Sequence, residues 1–224
     1  MLQTIPTTSS FSYGYKHLSN HVKNSMNFIN NRTVSLKKMM AIAGLFWFFF
    51  LVFYLFAALT FHSGEEAFTA FYLWFNGSIF YPILAILLLL TLAFHVFVAV
   101  TRQLSNNISS GDRYKKPYPK AVPRIIAWSG ATIILVFITT HTLQMLSINT
   151  VDLYSEIQNI FQSPIMLAIY GLGMIAISTH LHHGLTNVLQ TLGISSKQHK
   201  GAALVIVLLI LAGYASIPLG VLYG

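Results

Sequence analysis

The chain contains no cysteine. Disulfides, iron–sulfur ligation and thiol chemistry are therefore excluded within it. Charge is almost as scarce. Thirteen Lys or Arg and five Asp or Glu make up 8% of 224 residues, against about a quarter in ordinary soluble domains. Acidic residues are missing altogether before Glu65. No cleavable secretory signal is evident, because about 38 mostly polar residues precede the first apolar run. No internal repeat stands out.

What the chain has instead is long apolar runs, with a mean hydropathy of +0.65. Five runs reach the roughly 20 residues that a bilayer crossing needs. They lie near 39–61, 79–101, 125–147, 165–186 and 202–222, spans I to V. The expected fold is an all-α integral membrane protein with one domain over 39–224. The loops between spans are too short for a separate soluble domain. Residues 1–38 form an inner-side N-terminal extension, expected either to touch a partner or the anionic membrane surface or to be a solvated tail.

The net charge of +8 is not a nucleic-acid signature, because the basic residues fall on alternate connections. Lys16, Lys23, Arg32, Lys37 and Lys38 precede span I. Arg102, Arg113, Lys115, Lys116, Lys120 and Arg124 lie between II and III, and Lys197 and Lys200 between IV and V. The other two loops hold no base and carry Glu65, Glu66, Asp152 and Glu156. The positive-inside rule then places the N-terminus inside and the C-terminus outside. Pro117 and Pro119 argue against a long helix in the basic loop, and Pro123 and Pro164 suit the first turns of spans III and IV. Gly193, with the following Ser195-Ser196-Lys197, ends span IV. Span V holds no charged residue and no histidine and reads as a packing or lipid-facing helix.

Spans II, III and IV each carry one histidine deep inside, His95, His141 and His180. Ionisable side chains are costly in lipid, so each marks a candidate site. A helix rises about 1.5 Å per residue, so distance from a charged edge measures depth. Tyr54 lies 16 residues beyond Lys38 and His141 lies 17 beyond Arg124, which puts both at one level in the outer half. His95 lies 7 residues before Arg102 and His180 lies 10 before Gln190, a shared level in the inner half. Diagonal pairing of II with IV and of I with III leaves central space at each level. Two histidines at one depth are what a six-coordinate haem needs.

Other uses of an intramembrane histidine stand beside this one, namely packing, hydrogen bonding or a proton relay. His183 shares a face with His180 and suits a haem propionate, a partner subunit or a simple interfacial position. Gly173 shares that face too and leaves room towards the bundle centre, or serves ordinary small-residue packing. Tyr54 continues a bulky stripe with Trp47 and Phe50. The stripe fills the volume of a missing outer haem or faces lipid, and a Tyr54–iron bond is not expected. His62, two turns further out, is an interfacial residue, and His17, His21 and His199 lie outside the membrane.

Several segments occur together in a recognisable order. They are Ser35-Leu36-Lys37-Lys38-Met39-Met40-Ala41 with Gly44-Leu45-Phe46, Glu66-Ala67-Phe68, and Phe137 four residues before His141. Span IV adds Ser163-Pro164-x-Met166-Leu167, His180-Leu181-x-His183-Gly184-Leu185 and Gln190-Thr191-Leu192-Gly193. This order resembles the membrane-anchor cytochrome b of succinate dehydrogenases and fumarate reductases. The match is to the single-chain, five-helix type B form, the cytochrome b558 family.

The resemblance implies a haem-binding four-helix bundle from spans I to IV, with one ligand position on each. Those positions fall on His95, His141 and His180, and in span I on Tyr54 instead of histidine. One haem b, held by His95 and His180, is expected. His141 would be a ligand of a second, outer haem only if that haem is present. The implied function is electron transfer between an iron–sulfur subunit and membrane quinone, either menaquinone or ubiquinone, in a succinate:quinone oxidoreductase. A flavoprotein subunit and the iron–sulfur subunit would dock on the inner face. Ser35, Lys38 and Arg102 lie near the expected inner quinone site. The implied location is a bacterial cytoplasmic membrane, with the mitochondrial inner membrane as the other candidate. Two other classes remain open, a b-type anchor of another quinone-linked oxidoreductase and a haem-free proton channel or transporter using the histidines as a relay.

Overall fold

The computed structural model describes residues 35–108, 124–148, 151–191, 193 and 197–224, with no description of side chains at 102–108, 124–128 and 197–198. Among the described residues every element is helical. In order they are α1 (35–59), a 3-10 turn (Thr60–Ser63), α2 (Glu65–Asn76), α3 (Phe80–Ile108), α4 (Arg124–Ser147), α5 (Leu153–Gln162), α6 (Pro164–Thr191) and α7 (Lys197–Tyr223). Residues Met1–Met40 form one unit, of which only the first turns of α1 are described, and Ala41–Gly224 form the other.

Among the described residues, five helices are long and apolar enough to cross a membrane, Ser35–Ser63, Phe80–Thr101, Ser129–Ser147, Pro164–Thr191 and His199–Tyr223. They correspond to spans I to V. The helices run past the apolar runs at several ends, because α6 continues through His182, His183 and Asn187 to Thr191. Their outer surfaces carry exposed Phe49, Phe56, Ile83, Leu89, Leu90, Phe97, Leu143 and Leu172. Surface of that kind is ruinous in water and ordinary against lipid tails. Several threonine hydroxyls within the spans are satisfied by their own helix. Thr91, Thr101, Thr139, Thr179 and Thr186 each donate to a carbonyl three or four residues back. A medium without water demands such pairing.

Two short helices that sequence analysis left as loops, α2 and α5, sit at one end of the bundle. Gly64 turns the chain into α2 with φ 94°, a left-handed value open to glycine. Glu65 and Glu66 then occupy the first turn of α2, where the helix dipole favours acid. In α5, Leu153, Ile157, Ile160 and Phe161 share one face, the i, i+4, i+7 spacing of an amphipathic helix. That face joins Ala58, Phe61, Phe68 and Ile217 in the molecule's main buried cluster. We call this the capped end, and the opposite one the basic end.

The ends of α6 follow local chemistry. Pro164 opens it, with Ser163 Oγ accepting from the Met166 N–H at 3.5 Å. Gly193 just beyond it has φ 84°. α6 packs against α7, α4 and α5, whereas α3 packs against α2. α3 and α6 do not pack closely along their backbones. α1 reaches α7 where Leu55 lies against Gly213, so close that an added Cβ would stand 2.9 Å from Leu55 Cδ1.

Candidate functional site

Two levels of polar side chains cross the bundle. Nearer the basic end, His95 of α3 faces His180 of α6, with ring centres 6.2 Å apart and planes at 73°. His95 is half-buried and His180 is exposed. On α6, His183 is exposed and bonds Asn187 of its own helix at 2.8 Å, while His182 is half-buried. The nearest atom to a Cβ added at Gly44 of α1 would be His95 Cε1, at 3.8 Å.

The second level lies two to three turns closer to the capped end. Tyr54 of α1 and His141 of α4 meet there, with the phenol oxygen 3.3 Å from Nε2. His141 Nδ1 is 3.0 Å from the Tyr170 hydroxyl, and Tyr170 donates to Gln144 Oε1 at 2.8 Å. The proton order follows from the inventory of donors. Tyr170 has one hydroxyl proton and gives it to Gln144, so its oxygen accepts from His141 Nδ1–H. Nε2 then carries the lone pair and accepts from the Tyr54 hydroxyl. The result is a one-way chain, Tyr54 to His141 to Tyr170 to Gln144, tying α1, α4 and α6 together.

Aromatic rings pack around Tyr54 at this level. Phe50 stacks on Tyr54 at 5.7 Å, and Trp47 meets Phe50 edge-on at 5.7 Å. Tyr214 of α7 lies 6.3 Å from Tyr54 and donates to the Leu51 carbonyl. Span V, read as a packing or lipid-facing helix, therefore supplies a wall of this level. Tyr72 comes against Tyr54 from α2, and burial holds its phenol above the ordinary tyrosine pKa. The room expected at Gly173 is taken. The Phe137 ring packs onto it so tightly that any Cβ there would fall inside the ring's contact distance.

The two levels differ in whether they fit a bis-imidazole metal group. A metal–imidazole bond is about 2 Å and a ring nitrogen sits about 1 Å from the ring centre, so two axial imidazoles have centres about 6 Å apart. The His95–His180 ring spacing fits, and so does the chemistry of two imidazole nitrogen donors. The Tyr54–His141 pair does not fit. Two axial donors on one metal stand about 4 Å apart, whereas these two share a direct hydrogen bond, and the surrounding volume is filled by protein. Among the described residues no group of three or more His, Cys, Asp or Glu converges to hold a metal ion by itself.

The remaining expectations fall in different places. His62 sits in the 3-10 turn, exposed, with Nε2 2.8 Å from Ser216 Oγ of α7. Ser35 and Lys38 are exposed in the first turns of α1. The Arg102 side chain, and residues 1–34 with His17 and His21, lie outside the described residues, as do Pro117 and Pro119. Tyr170, Gln144, Tyr72 and Tyr214 were not singled out from sequence. Depth arithmetic applied to hydroxyls would have found Tyr170, ten residues before His180 on a helix of known direction. No family model, curated protein or solved structure matches this chain.

Proposed function

We propose that the chain is the membrane-anchor cytochrome b subunit of a succinate:quinone oxidoreductase, holding one haem b between His95 and His180. The observation that carries this reading is the pair of imidazoles, one from α3 and one from α6, with ring centres 6.2 Å apart. The bound haem would supply one-electron transfer between an iron–sulfur subunit and quinone.

The chain's own residues would do the rest. His95 and His180 offer neutral nitrogens from opposite sides, and the apolar helices around them exclude water. His183, with Asn187, is the polar pair next along α6 and is our candidate contact for a propionate. The basic end would face the inside, where the flavoprotein and iron–sulfur subunits dock. Quinone would bind at that end, near Ser35, Lys38 and Arg102. The Tyr54–His141 level offers no second metal position, so quinone reduction and its proton uptake would both stay on the inner side. Turnover would then be electroneutral.

The test is a pyridine haemochrome assay on the purified complex. One haem per chain is expected. His95→Ala and His180→Ala should abolish it, and His141→Ala should leave it in place. Two haems per chain would sink the single-haem reading. A purified complex with no reduced-minus-oxidised haem spectrum would favour a histidine relay instead.

A further inference from the structure

The proposed ligand His95 does not set its own position. Next to it, α1 meets α3 at two points one turn apart. Trp47 donates its indole N–H to Thr91 Oγ1 at 3.1 Å. Thr91 in turn donates to the Leu87 carbonyl at 2.7 Å, so its oxygen stands fixed as an acceptor. Thr91 and His95 are four residues apart on α3 and share a face. Gly44 and Trp47 are three apart on α1 and share the facing one. Gly44 leaves the imidazole its room, since an added Cβ would stand in ordinary contact, 3.8 Å, with His95 Cε1.

An indole N–H has one donor and no alternative partner in lipid. The Trp47–Thr91 bond is thus the specific polar contact that fixes how far α3 is rotated about its axis. Rotation of α3 swings His95 towards or away from His180. Gly44 leaves the imidazole room on the other side. We infer that Trp47 and Thr91 are positioning residues, which hold the His95 imidazole at the angle and distance that ligation opposite His180 requires, in the room that Gly44 leaves for it. This rests on the haem reading above.

The experiment uses the whole complex and two readouts, haem content and the low-spin electron paramagnetic resonance signal of the oxidised haem. Thr91→Val removes the acceptor with little change of volume, and Trp47→Phe removes the donor while keeping a smaller aromatic ring. Each should shift the low-spin signal beyond the wild-type line width while haem remains bound. The double variant should shift it no further than either single variant, because the two residues act through one contact. Gly44→Ala should be silent, since its methyl would make only ordinary contact. Gly44→Leu should lose most of the low-spin haem. A low-spin signal unmoved in haem-replete Thr91→Val and Trp47→Phe overturns the positioning role. Signal shifts that add in the double variant also overturn it. The haem reading fails separately, if the wild-type complex lacks haem or if His95→Ala keeps a bis-imidazole signal.

Discussion

At the scale of single residues, Tyr54 decides what the second polar level can be. Its hydroxyl occupies the lone pair of His141 that a metal would otherwise need. Tyr54→Phe keeps the stacking on Phe50 and deletes only that donor. Hydrogen bonds between membrane helices contribute about 0.5–1.5 kcal/mol, so thermal denaturation should fall by a few degrees while haem content stays at one per chain. Gly173 makes a harsher test, because the Phe137 ring occupies the place of its Cβ. Gly173→Ala should destabilise by about 1–3 kcal/mol through overpacking. Adding Phe137→Leu should recover part of that loss in the same denaturation assay. Residues of this kind were unevenly legible in the sequence. A histidine in an apolar run announces itself by its cost, so His95, His141 and His180 were found. A tyrosine or glutamine in the same run carries little such penalty, so Tyr170 and Gln144 passed as ordinary composition.

At the scale of elements, the five spans were readable because each is a long apolar run bounded by charge. Their pairing was readable because helical rise is constant. The short helices were not. α5 interleaves Ser155, Gln158 and Asn159 with its apolar face, and a ten-residue stretch of that kind resembles a polar loop unless its period is measured. Yet α2 and α5 build the best-buried core of the molecule. The reason is the solvent. Burying apolar surface gains nothing against lipid tails, but a helix at the membrane edge meets water and regains the full hydrophobic term. Phe68, 3% exposed, is central there. Phe68→Ala should cost about 3 kcal/mol, visible as early proteolytic cleavage at the capped end with the haem spectrum unchanged.

At the scale of the whole molecule, the alternation of basic and acidic loops gives an orientation that a chain without cysteine makes easy to test. A cysteine placed at Glu66 should react with a membrane-impermeant maleimide added outside intact cells or spheroplasts. One placed at Lys200 should react only after the membrane is opened. The opposite pattern would invert the docking face proposed for the hydrophilic subunits. The one-way chain from Tyr54 to Gln144 has a consequence for biogenesis as well. It joins α1, α4 and α6 with side chains alone, so that half of the bundle is complete as soon as the polypeptide has inserted. On the proposed haem reading, the His95–His180 half waits for its cofactor. Haem-starved cells should therefore accumulate an inserted apoprotein whose capped end already resists protease, and haem would enter last, from the basic end, into a scaffold already built.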